Sequence, residues 1–559
     1  MEGKFKESPY VEMCHIQRPK KMEDQKNLGK KPNKKVIDMG HNCHLIIEMP
    51  DLPESVIAKG FDLNSLHLMS LQGLAMRRLA VQLCCHRKML AYAVQTDSAA
   101  RRQKEHETKM YDLLKGLLPE VPLAQAMKHE LFSVMKSVSR EIIKWLDIHE
   151  NYLGPCNLND LEHLKHLCWT SLGCVDYRET AAALIRHEKL GVAQRYKLAC
   201  LYCLEEDIRE LWRKMPERSK KSYYDAKSPN LKQPGLVLIW TFILKGKEKK
   251  LLKFLEENGN FYPSIDHLGF ECAAIRGYRT AAQYFYEMLK SEEKEELLMK
   301  TAMSVAMQRS NDYFFYMEER QQLGDVLFYL MSVMQPYEQK ILLWHHPCET
   351  LKCALDWPRQ DAFIELAKSV YPFLSLRTYI RVIFNLSRNS SWGYNHSKLF
   401  QEFFMLEPFD FSLALIVYND ILRDFIRSDD IETVKFLFRH LDAQGKDEPV
   451  LGSIGSFINY ELMKEGKWDL MNLFIEEVKI SESNRRRNVK FFSESRGLHL
   501  EMEEMQRLIL LRNLGTREDV QNNTDLEIQE EEREEPKAVR KLLIPLKAAY
   551  DKCINILFR

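Results

Sequence analysis

The stretch GFECAAIRGYRTAAQYFYEML, Gly269–Leu289, decides the fold of this chain. It places a pair of alanines before a glycine and an aromatic stripe after it. Glycine tolerates the positive φ with which many helices end, so the pattern predicts a helix, a turn at Gly277 and a second helix. Ala273 and Ala274 allow a neighbouring helix to approach closely, and Phe285 lies on the apolar face of the second helix. Such a unit cannot bury its own apolar face and must stack on another copy.

Units of the same kind recur along the chain. They can be aligned by their turn residue, which we call the anchor of each unit. Successive anchors are 31, 34, 48, 34, 36 and 37 residues apart, so every step but one falls in a narrow range. Steps of this size are typical of arrays of helix pairs. Two earlier copies precede this series, near Gly173 and Glu206. We therefore expect units over residues 160–480, with the later anchors at Gly246, Gly277, Asn311, Arg359, Gly393, Asp429 and Gly466.

The quoted stretch and residues 242–259, FILKGKEKKLLKFLEENG, resemble degenerate ankyrin repeats. A unit of that family has an alanine-rich first helix, a glycine turn and an aliphatic second helix in about 33 residues. The Thr-Pro-Leu-His tetrapeptide that opens an ankyrin helix is missing from every copy. The resemblance covers residues 160–480 and implies a protein-binding scaffold with no chemistry of its own. It leaves open whether the units keep ankyrin finger hairpins.

The fold class that we predict is all-α, an α-solenoid of stacked antiparallel helix pairs preceded by a small helical region. Few glycines and prolines, 22 and 20, and the recurring helical period support this prediction. We expect a disordered basic arm over 1–50, an N-terminal helical region over 51–158 and the ankyrin-like array over 159–512. An acidic disordered linker over 513–537 precedes an amphipathic helix over 538–559. That helix caps the array, which we favour, binds a partner, or is only marginally ordered.

Four short clusters of His and Cys are candidate metal sites. They lie at His41–His44, Cys84–His86, Cys200–Cys203 and His345–Cys353. A structural zinc site needs two pairs of ligands at a defined separation, and none of the four has a second pair. Cys200 and Cys203 also share an apolar helical face with Leu204, so they are expected to be core thiols. We predict no metal site.

The motifs that would indicate an enzyme are missing from the sequence. There is no phosphate loop ending in Gly-Lys-Ser/Thr, no GxGxxG after a strand, no GxSxG elbow and no HExxH helix. The segment GSIGS, Gly452–Ser456, lacks both the lysine and the preceding strand of a phosphate loop. We therefore expect no catalytic and no cofactor-binding residues.

Charge is balanced over the whole chain, with 81 Lys and Arg against 80 Asp and Glu. Such a chain has no overall attraction to nucleic acid or anionic membrane, and any function of charge must be local. The segment NRRRNVKFF, Asn484–Phe492, has the residue types of a nucleic-acid contact but stands alone, so we expect no nucleic-acid partner. The longest apolar run, Gly235–Leu244, is roughly half the length that a membrane crossing needs, so no membrane insertion is expected.

The cysteines and the N-terminal residues indicate the compartment. The 13 cysteines are odd in number and scattered, which is typical of reduced thiols. The first residues lack the apolar core of a secretory signal. We therefore expect a cytoplasmic chain. Lysine pairs at 20–21, 30–31 and 34–35 allow a two-part nuclear-import signal, so a nuclear location stays open.

The leading functional hypothesis is a non-catalytic intracellular scaffold that presents a helical-repeat surface to a protein partner. The sequence identifies neither the partner nor the residues that bind it. The alternative is a substrate-recognition adaptor of a multi-subunit enzyme such as a ubiquitin ligase, because residues Asp51–Ala80 faintly resemble an F-box, in which Leu-Pro opens a small helical module. A hydrolase with dispersed catalytic residues is the weaker alternative.

Overall fold

The structure is a computed structural model. Outside the described residues lie the predicted linker, the C-terminal helix and much of the N-terminal arm, which therefore stay predictions. The structure describes two short strands and residues 70–96, 101, 104–153, 161–187, 190–224, 235–310, 319–371, 374–388, 396–406, 420–444, 462, 467 and 469–470.

A two-stranded antiparallel hairpin lies within residues 1–50. Its strands are Lys34–Asp38 (β1) and His44–Glu48 (β2), with Val36 opposite Ile46. Both strands contain β-branched residues, which favour extended backbone. The expectation of a disordered arm therefore does not hold at these two strands. Every other named element of the described residues is a helix, in agreement with the predicted fold class.

The N-terminal helices pack around one long helix. Both α1 and α3 contact α4, and α2 contacts α3 and α5. The buried apolar residues of these helices belong to the same core cluster as those of the array, so this region is continuous with the array. The helices are α1 Leu71–Cys84, α2 Arg87–Gln95, α3 Lys104–Leu117, α4 Gln125–Leu153 and α5 Leu161–Leu164.

The first half of the array consists of short helices. Two residues, Leu289 and Lys290, join α13 to the next helix, and residues 258–264 join α11 to α12 without a strand. These two connections therefore contain no ankyrin finger hairpin. The helices are α6 Tyr177–Arg186, α7 Val192–Leu201, α8 Glu205–Lys214, α9 Glu217–Lys221, α10 Leu236–Leu244, α11 Glu248–Glu257, α12 Ile265–Ile275 and α13 Arg279–Met288.

The second half of the array begins with two longer helices. Its helices are α14 Ser291–Ser310, α15 Glu319–Val333, α16 Pro336–His345, α17 Pro347–Ala354, α18 Phe363–Val370, α19 Leu376–Arg388, α20 His396–Phe404 and α21 Ile431–Gln444. A short 3₁₀ helix, Gln360–Ala362, precedes α18, and residues 420–427 are helical.

Successive helices contact one another as pairs. The pairs are α7–α8, α10–α11, α12–α13, α14–α15, α17–α18 and α19–α20. The first helix of each pair also contacts the first helix of the next pair, in an unbroken series from α7 to α19. Neighbouring pairs therefore contact each other through their first helices.

One backbone turn recurs between successive helices along the described part of the chain. Cys203, Gly246, Gly277 and Asp429 have positive φ values of 49°, 58°, 82° and 58°. In each turn the N–H after this residue donates to the carbonyl five residues earlier, which is the Schellman motif. The prediction of a positive φ at Gly277 is therefore confirmed. With N···O distances of 2.9–3.1 Å, such bonds join Leu204 to Ala199, Lys247 to Phe242, Tyr278 to Ala273 and Asp430 to Phe425.

Two of the expected anchors lie in a different local structure. Arg359 has a φ of −93° and follows the cis peptide bond Trp357–Pro358. Gly173 has a φ of 75°, but it lies in a tight turn closed by the bridge Trp169–Val175. Glycine permits a positive φ in any tight turn, so an anchor alone does not identify a helix pair. The expectation of a helix pair is therefore wrong at Gly173, whereas at Arg359 the pair α17–α18 is present but Arg359, in the connection between its helices, has a negative φ.

Of the remaining anchors, one lies inside a helix and three lie outside the described residues. The anchor expected near Glu206 lies inside α8, and Cys203 takes the left-handed conformation in its place. Residues with a side chain adopt this conformation rarely, so the residue type carried no signal there. Asn311, Gly393 and Gly466 lie outside the described residues.

A buried histidine makes the stability of the fold sensitive to acid. His149 is fully buried on α4, where Nδ1–H donates to the carbonyl of Trp145 and Nε2 accepts from the hydroxyl of Tyr202, both at 2.7 Å. Burial is the main cause that lowers the pKa of His149 from 6.5 to about 4. The folded protein therefore keeps this ring neutral at pH values where the unfolded chain protonates it.

We expect acid to destabilise the protein through His149. Between pH 6.5 and 4 the unfolded chain binds a proton that the folded protein does not, so stability falls as pH falls, by about 3 kcal/mol in total. His149→Phe should reduce this loss in urea titrations at pH 7 and pH 4.5, whereas His129→Gln, at an exposed position of α4, should not. An unchanged pH dependence in His149→Phe would contradict the expectation.

Candidate functional site

The cysteine clusters are core thiols. Cys84, Cys200 and Cys203 are buried, and burial raises the pKa of each, that of Cys203 to about 12. The same holds for Cys353, whose pKa burial also raises to about 12. Thiols with raised pKa values are poor nucleophiles and poor metal ligands at neutral pH. Among the described residues no three His, Cys, Asp or Glu side chains lie close enough together to hold a metal ion.

The other sequence candidates lie in three segments and at His86. His41–Cys43, Gly452–Ser456 and Asn484–Phe492 lie outside the described residues, and only the backbone of His44 is described, in β2. His86 is described and is exposed at the start of α2, where its Nδ1 accepts from the backbone N–H of Lys88 at 3.4 Å. It contributes a helix cap.

Arg77 joins three distant parts of the chain. It is 3% exposed on α1, and its guanidinium donates to the carbonyl of Leu172 at 2.8 Å and to the carboxylate of Asp361 at 3.2 Å. The guanidinium also lies over the ring of Trp357, 4.1 Å from its centroid. The indole N–H of Trp357 in turn donates to the carbonyl of Gly173 at 3.1 Å. We call these five residues the junction.

Further ion pairs surround the junction. Glu141 accepts from Lys144 at 2.8 Å on α4, and Asp356 accepts from Arg309 at 2.8 Å. Burial raises the pKa of Asp356, although Arg309 and then Lys144 oppose the shift. Burial also lowers the pKa of Arg359, which pairs with Asp325, to about 10. The three ion pairs lie within α4 or within the array, and the charge of Lys144 on α4 acts across to Asp356 of the array, which places charged groups of both regions close to the junction.

Helix α16 interrupts the regular series of pairs. It lies between the anchors at Asn311 and Arg359, whose separation of 48 residues is the one irregular step of the repeat. It contacts α14 and α17, which also contact each other as first helices of neighbouring pairs. An additional helix therefore accounts for the long step.

The inner side of α16 is firmly attached. The carboxylate of Glu338 accepts from the backbone N–H of Gln335 at 2.9 Å, which closes a capping box. The amide of Gln339 donates to the carbonyl of Met331 at 2.9 Å. Ile341 and Leu342 are buried in the core. The helix is thus held by a cap, a buried hydrogen bond and apolar packing.

The outer side of α16 exposes two large aromatic side chains. Tyr337 and Trp344 are 41% and 37% exposed and lie two helical turns apart, with Lys340 between them. Partial burial lowers the pKa of Lys340 and raises that of Tyr337, which the carboxylates of Glu338 and Glu295 also raise. We call Tyr337, Lys340 and Trp344 the α16 face. Tyr and Trp are enriched at protein interfaces, where their rings act as anchors.

Sequence reasoning did not find the α16 face. The irregular step of the repeat could have indicated this surface, because insertions in repeat arrays often map to the binding face. Tyr337 and Trp344 have the same helical spacing as buried residues, so the pattern alone cannot show which side of the helix faces solvent.

The chain matches no model of a protein family, and no curated protein matches its sequence. None of the described helices combines the length and the apolar character that a bilayer crossing requires.

Proposed function

We propose that the protein is a non-catalytic scaffold that binds a protein partner through the α16 face. Its helix pairs form an α-solenoid and resemble the helical half of ankyrin repeats. Two observations support this arrangement: the unbroken contacts of first helices from α7 to α19, and the Schellman turn that recurs at Cys203, Gly246, Gly277 and Asp429. Arrays of this kind present long surfaces to partners.

The observation that carries the proposal is the inserted helix with an aromatic outer side. An array of stacked pairs has no structural need for α16, since α14 and α17 contact each other without it. The cap at Gln335 and the buried amide of Gln339 fix the helix, so its outer residues lose little conformational freedom on binding. Preorganised Tyr and Trp side chains are the residue types that contribute most to protein interfaces.

The thiols support a reducing compartment for this scaffold. All nine described cysteines are free, and five of them are buried. Free thiols persist in the cytoplasm and the nucleus. We therefore propose that the protein works in one of these compartments.

Serine substitutions on the α16 face test the function. We expect Tyr337→Ser with Trp344→Ser to reduce recovery of the partner about 30-fold, which corresponds to the loss of ~2 kcal/mol from interface anchors. Quantitative mass spectrometry of affinity-purified full chains would measure it. The matched control is Phe261→Ser, because Phe261 is an aromatic residue that is 69% exposed in another part of the chain, the loop before α12.

The control should recover the same partners as the native chain. Circular dichroism should show equal helix content in all three proteins, since substitutions of exposed residues change stability little. An identical set of partners for the native chain and the double variant would contradict the proposed role of the α16 face.

A further inference from the structure

Basic residues are concentrated at one end of the array. The segments 213–221 and 245–253 contain ten Lys and Arg but only two carboxylates, in a chain whose formal net charge is +1. We call the ten residues the basic patch: Arg213, Lys214, Arg218, Lys220, Lys221, Lys245, Lys247, Lys249, Lys250 and Lys253.

The fold brings the two segments together. The ammonium group of Lys245 lies over the ring of Tyr224, 2.9 Å from its centroid. The pKa of Glu217 is lowered first by the hydrogen bond from Lys220, and the charges of Lys245 and Lys221 lower it further. Lysines from both segments therefore lie near one carboxylate, and the two segments meet at Lys245.

Most of the patch has no counter-charge in the described part of the protein. Lys214 pairs with Glu210 and Lys220 with Glu217, and no other member lies within 4 Å of a described carboxylate. Many like charges on one surface repel each other and lower the stability of the compact state unless an anion neutralises them. Most of these unpaired side chains are exposed: Arg213, Arg218, Lys221, Lys247, Lys249, Lys250 and Lys253.

Tyrosine rings near the patch already contact other side chains of the protein. Tyr223 packs against the buried ring of Tyr196, with 5.5 Å between centroids, and Lys245 covers Tyr224. Single-stranded nucleic acids need free rings on which bases can stack. The large exposed apolar side chains that a bilayer would take up do not occur in residues 213–224 or 245–253. The patch therefore offers charge without stacking or insertion.

Exposed carboxylates lie next to the basic residues along both α8 and α11. Glu256 and Glu257 follow the lysines of α11, and Glu206 and Glu210 precede the basic end of α8, all four exposed. From Lys247 to Lys253 the helix rises only about 9 Å. The regular phosphates of a long nucleic acid would extend beyond this distance and meet the carboxylates. An acidic peptide, at about 3.3 Å per extended residue, spans this distance with about three or four residues.

We propose that the basic patch is a second binding site, which takes a short acidic segment of a partner protein. This proposal rests on the proposed function only in that the partner is a protein. The site itself lies on helices other than α16. Lysine ammonium groups attract carboxylates as point charges, so recognition depends on the density of charge rather than on one defined geometry.

Charge reversal in the full chain tests the site. The probe is a fluorescein-labelled tetrapeptide of Asp and Glu, and the measurement is its anisotropy at low salt. The variant Lys247→Glu, Lys249→Glu, Lys250→Glu should weaken binding about tenfold or more, since three attractions become repulsions. The matched control reverses three exposed charges elsewhere, Arg87→Glu, Lys88→Glu and Lys109→Glu, and should bind within about twofold of the native chain.

Three further measurements separate the possible occupants. Tyr337→Ser with Trp344→Ser should leave peptide binding unchanged, so a failure of the α16 face would not affect this result. Tighter binding of a 20-nucleotide RNA or of phosphatidylserine vesicles than of the peptide would overturn the proposal. So would a tenfold gain in peptide affinity when Glu530, Glu531, Glu532, Glu534 and Glu535 are replaced by Gln, because the chain itself would then occupy the patch. Equal effects of the two charge-reversal variants would also overturn it.

Discussion

Arg77→Met is expected to lower the free energy of unfolding by about 3 kcal/mol. The substitution keeps most of the apolar volume of the side chain but removes its charge and its donors. The carbonyl of Leu172 then loses a charge-assisted hydrogen bond, and the ring of Trp357 loses its buried cation. The pair with Asp361 contributes less, because that carboxylate is 49% exposed and water screens it.

Arg77→Met should increase local opening of the backbone around the junction, in addition to lowering the free energy of unfolding of the whole protein. Hydrogen exchange should accelerate in Leu71–Cys84 and in residues 355–361, which Arg77 connects, and should stay unchanged in Ile265–Ile275. Arg78→Met is the matched control, since Arg78 is exposed on the same helix. A loss below about 1 kcal/mol in a urea titration of Arg77→Met would contradict the structural role of the junction.

Gly269→Ala is expected to lower the free energy of unfolding by about 2 kcal/mol, although alanine favours helices. A Cβ at this position would lie 2.5–2.6 Å from three carbons of the Phe285 ring. That ring is fully buried and contacts Trp240 and Tyr284, so it has no room to move. The clash therefore outweighs the gain of about 1 kcal/mol that alanine brings to a helix interior.

The same substitution in an open position should have the opposite sign. Gly116 lies in α3, and no neighbouring atom is within 4 Å of the place that a Cβ would take there, so Gly116→Ala should raise stability by up to about 1 kcal/mol. Gly269→Ala combined with Phe285→Leu should cost about 1–2 kcal/mol less than the sum of the single changes, because the smaller side chain relieves the clash. Additive effects in urea titrations would show that the two residues do not press on each other.

The helix pairs could be predicted from the sequence because their signals are local. A glycine between two apolar periodic segments specifies a turn with positive φ, and Gly246 and Gly277 both have it. Cys203 adopts the same turn without the residue type that would reveal it, so the residue pattern places its unit too far along the chain. The hairpin β1–β2 escapes sequence reasoning because its strands are short and lie in a lysine-rich segment.

The junction and the α16 face could not be predicted from the sequence for two different reasons. Arg77, Gly173 and Trp357 are separated by 95 residues or more, and only the tertiary fold brings them together. Tyr337 and Trp344 belong to a helix whose two sides are both rich in apolar residues, and contact with α14 and α17 decides which side is buried. The repeat spacing nevertheless marked the inserted helix as an irregular step.

The most direct test of the scaffold is site-specific photocrosslinking from the α16 face in cells that naturally make the chain. p-Benzoylphenylalanine is placed at Tyr337 in one full-length protein and at Phe261 in another, since both side chains are exposed. We predict a covalent adduct with one defined protein partner from position 337 and none with that partner from position 261. Adducts with the same proteins from both positions, or none from position 337, would contradict a partner site on the α16 face.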